Sequence, residues 1–535
     1  MRILLVGSQS ILGRALISSL GSAHDVRTLS SSAPRGESGP TDLIGDPRDR
    51  DVAAAATHGC DAIIDLRTVT AADGVADLDR VDAATRGTYN LLTSASAATR
   101  YILISSLRLF ERYPIEFRVT EQWAPRPTTN IDDLVCHLSE LTVREVARVT
   151  PIKAFGLRLG TVVDDLIVQS QTADPRWLHV DDAVQAIHRA VLLEEPPLMH
   201  IHPTFPVPTV GWWLFHIPGG GAYTRFPLAL AGQSPFNYQP RHDLAPGPPT
   251  TVTQPPPPDA QVHDPSTDVG PRRVVVFGAG GPVAAATTAE LARDHVLRLT
   301  DVRPMEEIVA NYKLQKPGAP TPRLLSEPHE SLVVDVTDPG QVREAVRGMD
   351  AIVNFTVVRR DPVEAFRVNT LGPYNIVKAA VATGAWRFVQ TGPQQVTLTG
   401  PAGYWDDFGL SDDLPGRPGA HLYTLSKYLG HEICRIFAEE HGLQIPLLFF
   451  SEFENPTAPP EEPFGAFPFT VSWSDAAIAV RQALHAPAFP RPLEPFHITA
   501  DLPHGKYVNA KAKSLLGWQP RDRLEAHWRR PDWPT

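Results

Sequence analysis

Residues Arg273–Ala285 read RVVVFGAGGPVAA, and Arg2–Gly13 read RILLVGSQSILG. Each stretch is a short aliphatic run, then a glycine-bearing turn, then a helical segment. A strand that turns over glycine into a helix presents the helix's free N–H groups to a phosphate. The same junction written twice predicts an architecture built twice.

Working outward from these junctions, the pattern repeats. In the first 216 residues strands are predicted at Ile3–Val6, Ala62–Leu66 and Tyr101–Ile104, and helices at Leu12–Leu20, Val81–Ser94 and Leu134–Val149. From Pro271 onward strands are predicted at Val274–Phe277, Val296–Leu299, Leu332–Val334, Ala351–Asn354 and Phe388–Gln390. Helices alternate with them at Pro282–Ala292, Gln341–Arg347, Pro362–Ala382 and Tyr423–Glu440. Strand–helix alternation predicts an α/β fold with a parallel sheet and helices on both faces. Further matches occur in the same order: Gly45-Asp46 with Val334-Asp335, Arg86–Asn90 with Leu371–Asn375, and His179–Ala183 with Ser472–Ala476. The reading is two tandem, Rossmann-like, doubly wound domains, residues 1–216 and 271–535. Residues 217–270 hold GGG at Gly219–Gly221, APGPP at Ala245–Pro249 and QPPPPD at Gln254–Asp259, and read as a proline-rich linker. Trp212-Trp213 is expected to pack a domain edge.

The bulk properties narrow the function. A chain of 535 residues with 42% hydrophobic content supports two cores. Net charge −11 argues against nucleic acid or an anionic membrane as partner. Cys60, Cys136 and Cys434 are too dispersed for a metal motif or a disulfide framework, so no metal is expected and a reducing cytoplasm fits. The apolar run at the start is broken by Gly7–Ser10, so it reads as strand, turn and helix rather than as a signal peptide. No run approaches the ~20 apolar residues of a membrane span.

The second half carries the chemistry. Gly278, Gly280 and Gly281 follow a strand and open a helix, and Asp301 ends the next strand. A carboxylate there accepts the adenosine ribose hydroxyls and repels a 2′-phosphate, which favours NAD over NADP. Arg303 lies nearby. In Tyr423-Thr424-Leu425-Ser426-Lys427 the tyrosine and the lysine share a helix face. A phenol with a pKa near 10 needs a neighbouring cation to exchange protons at neutral pH. Arg359 and Arg360 follow the strand ending at Asn354 and are placed to meet a phosphate or carboxylate, or else to be solvated loop residues.

On these motifs the second half resembles the extended short-chain dehydrogenase/reductase superfamily, the NAD-dependent epimerase/dehydratase group, across Arg272–Trp528. The resemblance adds Val334-Asp335, Asn354-Phe355-Thr356, Val368–Gly372 and Leu516–Pro520. It implies Tyr423 as acid/base and Lys427 on the nicotinamide ribose. It places Asp335 near the adenine and Asn354 and Asn369 among the cofactor-binding residues. It also implies a small-molecule substrate bearing a hydroxyl or carbonyl, and leaves open nucleotide sugars, free uronic acids, sterol-like alcohols and small aldehydes. The family's catalytic serine falls on Pro393, which leaves Thr391 or Gln394 as substitutes, and Phe449 and Glu452 replace a usual arginine and asparagine. Gly403-Tyr404-Trp405-Asp406-Asp407 reads as a lid or a surface loop.

The first half resembles the same family more weakly. Its turn is Gly7-x-x-Ser10-x-x-Gly13, its second strand ends in Ser30, and Cys136 and Glu140 stand where tyrosine and lysine belong, although Ser106 keeps the serine position. Cys136 and the adjacent His137 face different directions on a helix, which opposes a thiol nucleophile. The first half is expected to be a non-catalytic copy. Together the halves are expected to form an intramolecular pseudo-dimer, with homo-oligomerisation as the other arrangement; ~50 flexible residues reach ~40 Å. The rival to an oxidoreductase or epimerase is a dinucleotide-sensing or scaffold protein that kept the fold.

Overall fold

The structure, a computed structural model, describes residues 1–31, 42–70, 74–171, 174–194, 199–202, 205–207, 211–221, 224–245, 272–314, 316–397, 407–458, 466–503 and 505–528. Two compact units divide the chain, Met1–Pro256 and Pro257–Thr535. Each holds one seven-stranded parallel sheet.

The first sheet is built from β1 (Arg2–Val6), β2 (Asp25–Ser30), β3 (Asp42–Ile44), β4 (Ala62–Asp65), β5 (Arg100–Ser106), β6 (Lys153–Leu159) and β7 (Trp212–Ile217), in the order β7-β6-β5-β4-β1-β2-β3. The second is built from β8 (Arg273–Phe277), β9 (Val296–Asp301), β10 (Glu330–Val333), β11 (Ala351–Asn354), β12 (Arg387–Pro393), β13 (Ile445–Phe450) and β14 (Leu493–His497). Its order, β10-β9-β8-β11-β12-β13-β14, is the same permutation. The strand order reverses beside β1 and beside β8. That reversal opens a crevice at the strands' C-terminal ends, where ligands bind in folds of this kind. The central strands are buried along their length, as parallel strands covered on both faces must be.

Each core packs two helices on its central strands. In the first unit these are α1 (Ile11–Leu20) and, after α2 (Ile131–Val149), α3 (Val180–Leu192), whose Leu12, Leu16, Ala186 and Ile187 join Ile3, Leu5 and Ile64. In the second, Leu291 of α4 (Pro282–Leu291) and Val480 of α6 (Trp473–His485) join Val274, Val276 and Val353. Between them in sequence lies α5 (Leu422–His441). The helices expected at 81–94 and 362–382 each contain one widened turn, Ala83–Gly87 and Arg367–Leu371. Just beyond each turn an asparagine fixes the helix to the loop after the third strand. Asn90 donates to the Pro47 and Arg48 carbonyls, and Asn375 donates to the Val336 carbonyl.

The start of the expected linker at residue 217 is corrected. Ile217 closes β7, the edge strand that carries Trp212-Trp213, and the chain then folds back onto the first core. Phe236 and Tyr238 are fully buried there, and Phe236 stacks on Phe215 with 4.4 Å between ring centroids. Asp182 accepts the Arg241 and His242 N–H groups, as Asp475 accepts those of Arg521 and Asp522. Tyr238-Gln239-Pro240-Arg241 thus occupies the place of Trp518-Gln519-Pro520-Arg521. Glycine and proline content hid this apolar pair. The proline cluster Pro255–Pro258 and the loop stretch Gly403–Asp406 lie outside the described residues. Among the described residues no helix is long and apolar enough to cross a membrane.

Candidate functional site

The glycine turn of the second unit sits at the crevice because β8 ends there. Gly278 has φ +76°, and a Cβ on it would lie 2.9 Å from the Thr356 nitrogen. A side chain at Gly280 would meet Asp301 Oδ2 at 2.9 Å. Gly280 N–H donates to that oxygen at 3.0 Å, and Asp301 Oδ1 accepts Val302 N–H at 2.9 Å. Both carboxylate oxygens keep a free lone pair for a diol. Gly281 begins α4 with no side-chain cap and with proline in the first turn, so the helix N-terminus is left open to an anion. These residues fit a dinucleotide. Asp335 follows β10 one strand further out. Its Oδ1 accepts Thr337 N–H, which fixes the turn there.

Tyr423 and Lys427 lie one turn apart on α5. Lys427 Nζ donates to the Thr356 carbonyl at 2.7 Å, which ties the helix to the loop beside the glycine turn. Burial, reinforced by the charge of Arg359, lowers Lys427 to about 7. Burial raises the Tyr423 phenol above its ordinary value, and Arg359 opposes that rise by its charge and by a hydrogen bond. His431, one turn beyond Lys427, is lowered to about 3 by burial and by the lysine, so it is neutral.

Three expected site residues have other tasks. Asn354 is fully buried and spends its side chain on Gln390 Oε1 and on the Thr356 N–H and hydroxyl. Asn369, also fully buried, exchanges two hydrogen bonds with the backbone of Val358 and reaches Ser426 Oγ. Both shape the loop at residues 355–358. Thr391 donates its hydroxyl to the Asn354 carbonyl at 2.7 Å, inside the sheet. A β-strand alternates its side chains, and Thr391 lies two residues before Pro393, deeper in the sheet. The Gln394 amide is fully buried with neither polar atom paired. Sequence reading missed the Thr356 carbonyl as the acceptor for Lys427, since no side chain marks it.

The first unit fills the corresponding space with its own groups. Ser10 caps α1 by accepting Gly13 N–H at 3.1 Å, where Gly281 leaves its helix uncapped. Arg67, one residue beyond Leu66, bonds Asp65, the Ala83 carbonyl and Thr88 beneath the turn at Gly7. Ser106 accepts Arg108 N–H. Cys136 is buried, and burial with the nearby Glu140 pushes its thiol up to about 12. Glu140 forms a two-pronged bond to Arg158 at 2.8 and 2.6 Å, and both residues are buried. Burial opposes ionisation of Glu140, yet Arg158 outweighs it and holds the carboxyl below its ordinary range. Elsewhere in this unit the His179 and His242 rings stack at 3.7 Å, and with Asp181 they form a group of potential metal ligands. His179 Nδ1 is engaged there by Asp181 N–H at 3.2 Å.

Comparison with known proteins finds sugar dehydrogenases among the relatives. An L-arabinose 1-dehydrogenase (NAD(P)(+)) of Haloferax volcanii is 28% identical over 190 residues, covering 32% of this chain and 64% of that protein. A uronate dehydrogenase of Pseudomonas putida is 25% identical over 189 residues, covering 34% and 62%. The chain thus spans less than two thirds of the length of these relatives. The crystal structure of uronate dehydrogenase from Agrobacterium tumefaciens is similar at TM-score 0.38 and 24% identity, covering 49% of this chain and 92% of that one. Residues 274–468, from β8 past the Tyr423 helix, match the model of the NAD dependent epimerase/dehydratase family.

Proposed function

We propose that the second unit is an NAD-dependent oxidoreductase or epimerase acting on a hydroxyl or carbonyl of a sugar-like substrate. The observation that carries this reading is Tyr423 and Lys427 on one buried helix, with Lys427 bonded to Thr356 beside the open glycine turn. NAD, when bound, supplies the hydride acceptor. Gly278, Gly280 and the N-terminus of α4 would hold its pyrophosphate, and Asp301 would hold its adenosine ribose. Tyr423 Oη takes the proton of the substrate hydroxyl during oxidation and returns it during reduction. Lys427 would orient the nicotinamide ribose, and its charged form favours the phenolate. The sugar dehydrogenases among the relatives support the substrate class. The first unit is a retained fold in which Ser10, Arg67 and Glu140 bond within the protein.

One observation favours a sensor instead. Pro393 offers no hydroxyl, and Thr391 is committed to the sheet. The two readings separate by titrating NAD and NADP against tryptophan fluorescence, then following nicotinamide reduction with aldoses and uronates. The enzyme reading expects NAD binding, sugar-dependent reduction, and loss of ~10²–10⁴ in rate for Tyr423→Phe with NAD affinity retained. Binding without reduction of NAD by any substrate supports the sensor.

A further inference from the structure

Resting on that reading of the site, we propose that Arg359 is its positioning residue, holding the Tyr423 oxygen ready to accept a proton where Pro393 supplies no serine hydroxyl. The guanidinium carbon lies 5.3 Å from the centroid of the Tyr423 ring, within the range of a cation–π contact. Arg359 is exposed at the edge of the crevice, while Tyr423 is half-buried and Lys427 is buried. Among the described residues Arg359 has no carboxylate partner.

Its place is built. The loop that carries it leaves β11 and is pinned at Thr356 by Lys427 and at Val358 by the two-bond clamp of Asn369. Arg359 is the next residue, so two anchored points fix where its side chain starts. Among the described residues, the charged and titratable groups considered at the phenol come from the β11 loop and from α5. The β11 loop contributes Arg359. The helix α5 contributes Lys427, with the neutral His431 and the protonated Cys434 behind it. Thr391 and Pro393 of β12, and Gln394 just after it, carry no titratable group. Because Lys427 is lowered to about 7, it is partly neutral at working pH and a weaker cation for the phenol. A guanidinium, by contrast, is not deprotonated in proteins.

The test is an ultraviolet difference titration of the full chain with saturating NAD, each protein read against its Tyr423→Phe counterpart so that only this phenol contributes. Arg359→Ala is expected to raise the phenolate midpoint by about one pH unit or more, the usual effect of removing a charge at this range. Arg359→Lys is expected to restore part of the difference, with NAD affinity within about twofold of the parent in both. The acid limb of kcat/KM moves by the same amount. An unmoved midpoint in Arg359→Ala overturns the proposal, whatever happens to turnover. So does a change in KM for substrate alone, which would make Arg359 a substrate ligand. A chain that shows the midpoint shift yet oxidises no sugar overturns the enzyme reading and leaves the positioning role standing.

Discussion

Replacing Lys427 with methionine is expected to stabilise the second unit while abolishing its turnover. The side chain is 2% exposed, and among the described residues its ammonium donates to the Thr356 carbonyl, a neutral group. Burial, then Arg359, takes its pKa from 10.5 to about 7. Between those values the unfolded chain binds more protons than the folded one, so stability rises as pH rises through that window. The gap of about 3.5 pH units makes the buried ammonium unfavourable by about 4 kcal/mol at pH 7, falling to about 2 kcal/mol at pH 9. Methionine removes that penalty and loses one hydrogen bond, about 1 kcal/mol. The variant is therefore expected to be more stable than the parent by about 3 kcal/mol at pH 7 and about 1 kcal/mol at pH 9. Urea titration with pulse proteolysis on the full chain, its fragments assigned by mass spectrometry, reads the two units separately. A less stable variant at pH 7, or the same difference at both pH values, would refute the reasoning.

Two further outcomes concern the first unit. Arg158→Ala leaves Glu140 buried without its counter-ion and is expected to destabilise that unit by about 3–5 kcal/mol, with Glu140→Gln in the same chain recovering part; the same urea assay checks it, and a loss below about 1 kcal/mol would show that Glu140 finds another partner. Phe236→Ala removes a ring stacked on Phe215 in the core and is expected to destabilise by about 3–5 kcal/mol. If the unfolding of the first unit is unchanged, residues 224–245 do not belong to its core.

The glycine turns and the Tyr423–Lys427 pair were legible because their geometry is local. A positive φ at Gly278 and a side-chain pair four residues apart are set within a few residues of chain. The strand alternation was legible for the same reason, since a fully covered parallel strand must be apolar throughout. The return of the chain after Ile217 was not. Its glycines and prolines have linker composition, and only the burial of Phe236 and Tyr238 marks it as core. Tyr238-Gln239-Pro240-Arg241 beside Trp518-Gln519-Pro520-Arg521 was the signal that could have found it.

Thr391 shows the same limit inside the site. Its residue type permits catalysis, but its place on β12 turns the hydroxyl to the Asn354 carbonyl. Asn354 and Asn369 likewise had the right chemistry for a cofactor and were taken up by the loop they shape.

What the sequence alone determined is the element order, the two glycine junctions, and the retention of Tyr423 and Lys427 in one half against Cys136 and Glu140 in the other. Each depends on neighbours in the chain. What only the tertiary structure decided is which groups meet across it: Lys427 with Thr356, Arg359 with Tyr423, and Glu140 with Arg158. Those meetings follow from strand order and helix placement. A buried charge or hydroxyl takes whichever partner the fold brings within reach, and its own residue type does not name that partner.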